Sequence, residues 1–180
     1  EGAATDVSVG AGYDSTPGFE RLLVSQSTDF FNRERYEVRG DELIRVDVPT
    51  DAGISIHREW LLVRPRTDWT VGSATYVAGS LVAARYDDYL AGNRDLTVVF
   101  TPDSHTCLES YVWTRDRLIL TTLVDVASRI EVVTPGSWVR EPVAGLPANT
   151  NTVVGITGIT DAAVRCPGSQ ANPPLPHSRG

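Results

Sequence analysis

The side chains that could carry out chemistry are few and scattered in this sequence. His57 lies beside Arg58 and Glu59, His105 lies in a polar stretch, and His177 lies near the C-terminus. A catalytic or metal-binding histidine needs a nucleophile, an acid or a second ligand next to it, usually from a distant segment. Nothing in the spacing indicates such a partner, so we interpret the three histidines as surface loop residues.

A nucleophilic serine of the α/β-hydrolase type needs the pattern Gly-x-Ser-x-Gly, which places it on a sharp turn between a strand and a helix. That pattern does not occur in the sequence. Gly79-Ser80 and Gly136-Ser137 lack the flanking residues and fit a turn or the start of a strand better. We therefore assign no catalytic residue to this chain.

Metal and cofactor sites are not indicated either. Cys107 and Cys166 are far apart and lack the close Cys or His neighbours of a zinc site. Cys107 lies in strand-like sequence and is expected to be a buried thiol, and a disulfide between the two cysteines is left open. Asp87-Asp88 lacks the further oxygen ligands of a calcium site and fits the first turn of a helix. We assign no metal-binding residue.

One glycine-rich stretch resembles the start of a dinucleotide-binding loop. It is Val9-Gly10-Ala11-Gly12, which lacks the third glycine and a following helix. We interpret it as a turn and assign no cofactor. Four tryptophans could form an aromatic surface for a peptide or a sugar, but packing between sheets is the simpler expectation; they are Trp60, Trp69, Trp113 and Trp138.

The elements that would position these residues are short strands rich in Val, Ile, Leu, Thr and aromatic residues, separated by turn residues. One short helix is expected over residues 86–91, closed by Gly92. Residues 108–143 predict a meander, with strands at 110–113, 118–124, 129–133 and 138–143. The sequence therefore predicts an all-β fold of the sandwich, barrel or propeller type.

The meander carries a burial pattern that favours a propeller blade. Its second strand, residues 118–124, is apolar almost throughout, which predicts burial on both faces. Its third strand alternates, with Ile130 and Val132 on one face and Arg129, Glu131 and Val133 on the other. Inner strands of a blade lie between neighbouring blades and outer strands face water, whereas a sandwich shows alternation in most strands.

A weak internal repeat supports the same interpretation. Residues 57–63 and 114–120 both place an Arg-acid turn before an apolar strand, and the first copy has an apparent insertion over 67–79 and the helix. An earlier unit is indicated by strand-like segments at 21–24, 35–38 and 43–48. We predict a partial β-propeller of about three four-stranded antiparallel meander blades over residues 1–148, followed by a Gly- and Pro-rich tail over 149–180 that is disordered or aberrant.

The sequence resembles the propeller domain of bacterial prolyl oligopeptidase family proteins, which are serine peptidases. The residues that carry the resemblance are propeller framework and lie within roughly residues 8–147: Gly12-Tyr13, Gly18 to Arg21, Ile54 to Val63, Asp68 to Gly72, Tyr76 to Leu81, Asp95 to Phe100, Tyr111 to Leu120, Ser128 to Val132 and Thr134 to Gly136.

The resemblance implies a propeller that caps an α/β-hydrolase domain with a Ser-Asp-His triad and restricts access to short peptides, many cleaved after proline. None of the triad motifs falls within this sequence, so the chain alone is expected to be inactive. Its partners would be peptide substrates of the parent enzyme and the missing hydrolase domain. The lack of Met and the change of character after residue 149 indicate a processed, internal or truncated piece.

Composition excludes some partners. The net charge of −7 argues against nucleic acid, whose phosphates require a basic surface. No apolar stretch is long enough for a membrane-spanning helix, and the N-terminus lacks the features of a signal peptide. We expect a cytoplasmic protein without nucleic-acid or membrane partners. The isolated chain is expected to be unstable, to self-associate through open blade edges, or to depend on its missing remainder.

Two alternatives stay open. The chain could be a stand-alone β-rich module that binds peptide or carbohydrate through its aromatic residues, or a small enzyme with a site that the sequence does not reveal. A coding sequence that continues into Gly-x-Ser-x-Gly and a later histidine would favour the peptidase. A stop codon with an upstream signal peptide would favour the module, and turnover of a proline-containing peptide by the chain alone would favour the enzyme.

Overall fold

The computed structural model describes residues 8–125 and 127–143. The strands in this part of the chain form three four-stranded sheets and one two-stranded sheet, joined by tight turns and one short helix. None of the sheets closes into a barrel. The predicted all-β fold and partial propeller of four-stranded meanders are confirmed.

Sheet 1 consists of β1 (Val9–Asp14), β2 (Arg21–Ser27), β3 (Arg33–Arg39) and β4 (Glu42–Arg45), in that spatial order. The turn predicted for residues 9–12 is wrong, because these residues form most of β1 and pair with Leu23 to Gln26 of β2. Glycine is a poor strand former, but an edge strand needs backbone hydrogen bonds to a neighbouring strand on one side only. Here the regular pairing with β2 outweighs the preference of glycine for turns.

Sheet 2 contains β5 (Gly53–His57), β6 (Trp60–Arg64), β9 (Leu81–Arg85) and β10 (Thr97–Phe100), in the order β10-β9-β6-β5. The predicted insertion is confirmed: β7 (Trp69–Val71) and β8 (Ala74–Tyr76) form a separate hairpin between β6 and β9. The predicted helix is also confirmed as α1 (Tyr86–Leu90), which connects β9 to β10.

Sheet 3 is the predicted meander, with β11 (Thr106–Trp113), β12 (Leu118–Val124), β13 (Ala127–Thr134) and β14 (Val139–Pro142) in spatial order. Every residue from Leu118 to Thr122 is buried, as expected for a strand covered on both faces. The alternation predicted for β13 is only partly right. Ile130 is buried and Arg129 is exposed, but Val133 is buried as well, on the face that was predicted to be polar.

Within the described residues, the chain divides into two compact units with the boundary between Leu108 and Glu109. The first unit contains sheets 1 and 2 and a core cluster of eight buried residues: Val46, Val48, Ala52, Leu61, Val63, Ala84, Tyr86 and Tyr89. No helix within the described part of the chain is long and apolar enough to cross a membrane. The predicted tail over 149–180, with Cys166 and His177, lies outside the described residues.

Candidate functional site

The two described histidines occupy different surroundings. His105 is exposed in the loop before β11, where its backbone N–H donates to Asp103 Oδ1 at 2.8 Å. His57 is instead the last residue of β5, half-buried and paired with Trp60. The interpretation as a surface loop residue is therefore right for His105 and wrong for His57, because the hairpin turn begins one residue later, at Arg58 with a φ of 52°.

The two serines considered as nucleophiles lie in turns. Ser80 is buried directly before β9 and follows Gly79, whose φ of 83° requires glycine. Ser137 is exposed in the turn before β14, and its hydroxyl donates to the Thr134 carbonyl oxygen at 3.3 Å. Both positions agree with the structural roles predicted for them.

Cys107 corrects another expectation. It lies in β11 as predicted, but its side chain is exposed, because Leu108 takes the buried face at this point of the strand. A thiol on the outward face of a strand does not contribute to the packed core. Among residues 8–125 and 127–143, no group of three or more His, Cys, Asp and Glu side chains is arranged to hold a metal ion.

The tryptophans are half-buried rather than displayed as an open surface. The Trp60 ring has the Arg85 guanidinium 5.0 Å from its centre. The Trp69 ring lies 5.6 Å from that of Tyr76 and packs against the core cluster of the first unit. These contacts leave less ring surface for a peptide or a sugar.

A group of four charged residues and one tyrosine, which the sequence did not bring together, lies where sheet 1 meets α1. We call Arg21, Glu37, Arg39, Tyr86 and Asp87 the Arg21 cluster. Leu23 pairs with Glu37 in the sheet, so Arg21, Leu23 and Glu37 share one face. Arg21 and Glu37 are 7% and 6% exposed, which is unusual for charged residues and requires compensating contacts.

Arg39 connects two carboxylates in this cluster. Its Nε donates to Glu37 Oε1 at 2.8 Å, and its Nη2 donates to Asp87 Oδ1 at 2.6 Å. The Glu37 side chain is 7% exposed, whereas that of Asp87 is 69% exposed. The hydrogen bonds from Arg39 to Glu37 and Asp87 raise the pKa of the Arg39 guanidinium above its ordinary value. The Arg39 guanidinium therefore stays charged at neutral pH.

Arg21 stacks on an aromatic ring within the same cluster. Its guanidinium carbon lies 4.7 Å from the centre of the Tyr86 ring, an attraction between a cation and the ring face. Burial, followed by the nearby Glu37 carboxylate, raises the pKa of Tyr86 above its usual value. The Tyr86 hydroxyl and Arg21 Nη1 are both buried without a hydrogen bond of ordinary geometry. The Tyr86 phenol thus stays neutral, and its ring contributes to the cluster by stacking with Arg21.

Two concavities accompany these residues in the first unit. A polar one of about 520 Å³ adjoins the Arg21 cluster and is also lined by Tyr13, Phe19 and Glu20. An apolar one of about 350 Å³ is lined by Gly10 to Gly12, Leu23, Ile54 and Ile56. The acids beside the polar concavity include Glu37 and Asp87, which face an arginine that stays charged. This arrangement can hold a polar group but does not offer a proton-transfer pair.

Comparisons with known proteins show what this chain is similar to. No family model matches the chain. An uncharacterized peptidase of Rickettsia prowazekii (strain Madrid E) is 27% identical over an alignment of 136 residues, and the match covers 70% of this chain and 19% of that protein. The structure of a post-proline cleaving enzyme from Rickettsia typhi matches with a TM-score of 0.69 and 27% identity, covering 84% of this chain and 23% of that one.

This chain is much shorter than the two proteins that it matches. It spans about a fifth of the curated relative's length and less than a quarter of the solved structure's chain. The match in sequence and the match in structure agree on a peptidase, and the structural match covers most of the chain that forms the three sheets. The resemblance that the sequence indicated is therefore confirmed: this chain is similar in sequence and in structure to prolyl-oligopeptidase-like peptidases.

Proposed function

We propose that this chain supplies part of the β-propeller of a prolyl-oligopeptidase-type serine peptidase. In the intact protein, this propeller would limit which peptides reach a hydrolase domain that carries a Ser-Asp-His triad. The observation that carries the proposal is the succession of three four-stranded sheets, which aligns with a post-proline cleaving enzyme over 84% of the chain.

The chemistry is assigned to residues beyond this chain. Ser80 is buried before a strand, Ser137 lies in an exposed turn, and His105 lies in an exposed loop. The Arg21 cluster pairs its acids with arginine rather than with a nucleophile or a histidine. A serine peptidase needs a nucleophile, a base and an orienting acid within hydrogen-bond reach of each other. The role proposed here is accordingly one of access and support.

A graft tests the role of the segment in substrate access. Residues 8–143 replace the matching segment of the Rickettsia typhi enzyme, and the unaltered enzyme serves as the control. Cleavage rates are measured on a series of proline-containing substrates, from short peptides to an unfolded polypeptide. We expect the graft to cleave the short peptides faster than the longest substrates, because in the proposed role the propeller geometry sets the width of the access route.

Two results would count against this function. A folded graft that cleaves long and short substrates at similar rates would show that the segment does not limit access. A folded graft without activity on any substrate would show that these sheets cannot replace the enzyme's own. Circular dichroism and a melting curve establish folding in both cases, so loss of structure is distinguished from loss of function.

A stand-alone binding module is the second candidate, and the apolar concavity of about 350 Å³ is the observation that favours it. Titration of the chain with extended apolar peptides, followed by tryptophan fluorescence, tests this function. Saturable binding that is lost in Ile56→Asp but kept in a variant altered outside the concavity, Val98→Asp, would support the module. If the chain is instead a segment of a peptidase propeller, we expect no saturable binding in this concavity by the chain alone.

A further inference from the structure

Arg21 is a buried cation that its own chain does not saturate with hydrogen bonds. The residue is 7% exposed, and its Nη1 is buried without a hydrogen-bond partner among the described residues. Stacking on the Tyr86 ring, 4.7 Å from the ring centre, offsets part of the cost of burial but supplies no acceptor of ordinary geometry. Because a buried donor without an acceptor is costly, an acceptor brought by a ligand would be bound favourably.

The polar concavity of about 520 Å³ has room for such a ligand, and Arg21 lines it. Members of the Arg21 cluster supply its charged groups. Its apolar part comes from Tyr13, Leu22 and Val38, which strand pairing places side by side across β1, β2 and β3. Tyr13 is 65% exposed and Leu22 is 38% exposed. A ligand that fills the concavity therefore needs a polar group next to an apolar one.

The charges of the concavity favour an uncharged ligand. Among the described residues, its walls carry two arginines and three acids: Arg21, Arg39, Glu20, Glu37 and Asp87. Asp14 adds a carboxylate directly opposite Arg21 in the sheet. An anion would therefore meet a net negative charge, whereas a cation would bring further donors to an arginine that already lacks an acceptor. An uncharged acceptor avoids both costs.

Asp87 can accept a hydrogen bond from the same ligand. Its Oδ1 accepts from Arg39 at 2.6 Å, and the Asp87 side chain is 69% exposed. One concavity thus combines the donors of Arg21 with the acceptor oxygens of Asp87. An amide is an uncharged group that matches both, because its carbonyl oxygen accepts and its N–H donates from two different atoms.

We propose that this concavity is a binding site for an uncharged amide group next to an apolar side chain. The amide oxygen accepts from the Arg21 guanidinium, the amide N–H donates to Asp87, and the apolar neighbour packs on Tyr13 and Leu22. Such an amide occurs in the peptide bonds of a polypeptide and in the side chains of asparagine and glutamine. The proposal concerns residues of this chain alone and does not depend on the proposed role in substrate access.

NMR titration of the whole chain with three small ligands tests this site. Isocaproamide carries a primary amide like that of asparagine or glutamine, whereas N-acetyl-leucine methylamide carries peptide bonds. Isocaproate has the aliphatic part of isocaproamide with a carboxylate in place of the amide. The backbone N–H signals of Leu22 and Val38 report binding. We expect saturable shifts with at least one amide, at a Kd of about 1 mM for ligands of this size, and the tighter of the two identifies the source of the amide.

Isocaproate should bind at least about tenfold more weakly than isocaproamide, because it adds a negative charge and removes the donor. Arg21→Met removes the guanidinium but keeps an unbranched side chain that can pack on Tyr86. Asp87→Ala removes the acceptor, and Asp88→Ala is its matched control, since Asp88 is an exposed acid of α1 that does not line the concavity. Amide binding should weaken about tenfold in Arg21→Met and about threefold in Asp87→Ala, and stay unchanged in Asp88→Ala.

Circular dichroism verifies that each variant keeps the strand content of the unaltered chain. The absence of saturable shifts with both amides would overturn the proposal, and so would isocaproate binding as tight as that of isocaproamide. Unchanged binding in folded Arg21→Met would also overturn it. If Arg21→Met does not fold, equal amide binding by Asp87→Ala and Asp88→Ala decides against the site. The graft tests substrate access separately, so the two proposals can fail independently.

Discussion

Arg39, at the end of β3, donates a hydrogen bond of 2.6 Å to Asp87 in α1. The same guanidinium holds the buried Glu37 carboxylate, so one side chain connects sheet 1 to the helix between β9 and β10 of sheet 2. Asp87 is mostly exposed and Glu37 is buried. The two ion pairs should therefore differ in their contribution to stability, because solvent screens the exposed pair.

Replacing Arg39 with alanine tests this difference. The free energy of unfolding should fall by about 1–3 kcal/mol, since the Glu37 carboxylate stays buried without its partner; the figure is at the lower end because the Arg39 side chain is 45% exposed. Asp87→Asn should cost less than about 1 kcal/mol. Arg33→Ala, an exposed residue on the same strand, is the matched control for chemical denaturation. Equal losses for Arg39→Ala and Arg33→Ala would contradict the role given to Arg39.

Tyr89 gives the first unit a dependence on alkaline pH. Burial raises its pKa from 10.0 to about 12, so the folded state favours the neutral phenol. This contribution to stability is complete below the unfolded value of about 10 and is lost as the pH rises towards 12. Denaturation midpoints measured across that range should fall, and Tyr89→Phe should reduce the fall. The same slope in the variant and the unaltered chain would show that other groups are responsible.

Strand β12 of sheet 3 should be covered on both faces, and substitutions on each face test this. Leu118 and Ile119 are adjacent, point to opposite faces and are 0% and 1% exposed. Leu118→Ala and Ile119→Ala should each lower the free energy of unfolding by about 2–5 kcal/mol, whereas Arg129→Ala on the neighbouring strand should change it by less than about 0.5 kcal/mol. A large cost for one of the first two and a small cost for the other would indicate a strand with one wet face.

Asp29 fixes the loop that presents Phe30 and Phe31. Its carboxylate accepts a hydrogen bond of 2.7 Å from the side-chain amide of Asn32. It also accepts hydrogen bonds of 2.8 Å from the backbone N–H groups of Phe31 and Asn32. These bonds hold the pKa of Asp29 below its usual 3.8. Their contribution is present above the unfolded pKa and is lost as the pH falls through the folded value. Carboxyl titration by NMR should give a pKa under 3.8, and a value at or above 3.8 would mean that the loop is not held in this way.

The sequence pattern predicted those elements that are short apolar runs bounded by recognisable turn residues. The meander over 108–143, the insertion between β6 and β9 and the helix at Tyr86 all follow from short apolar runs interrupted by turn residues, among them Gly136 with a φ of 88°. Strand β1 was missed because its glycines are typical of turns, and only the pairing with β2 makes them a strand. That pairing is a tertiary effect, which a local pattern does not contain.

The Arg21 cluster was missed for a related reason. Arg21, Glu37 and Tyr86 lie on three elements that meet only in the folded chain, and each residue alone is ordinary in its own segment. Cys107 was expected to be buried because its sequence is strand-like. Side chains alternate between the two faces of β11, however, and the buried face at this point carries Leu108. Strand phase and contacts between sheets determine these positions, and one sequence specifies neither directly.

The proposed function makes this chain a segment of a peptidase-related propeller that does not itself cleave peptides. The most direct measurement is the rate at which the purified chain releases the chromophore from a peptide with proline before the scissile bond. An active post-proline cleaving enzyme serves as the positive control, and a serine-directed covalent probe is applied in parallel. We expect no release above the uncatalysed rate and no labelling. Turnover that the probe abolishes, with the label on a serine of this chain, would contradict the claim.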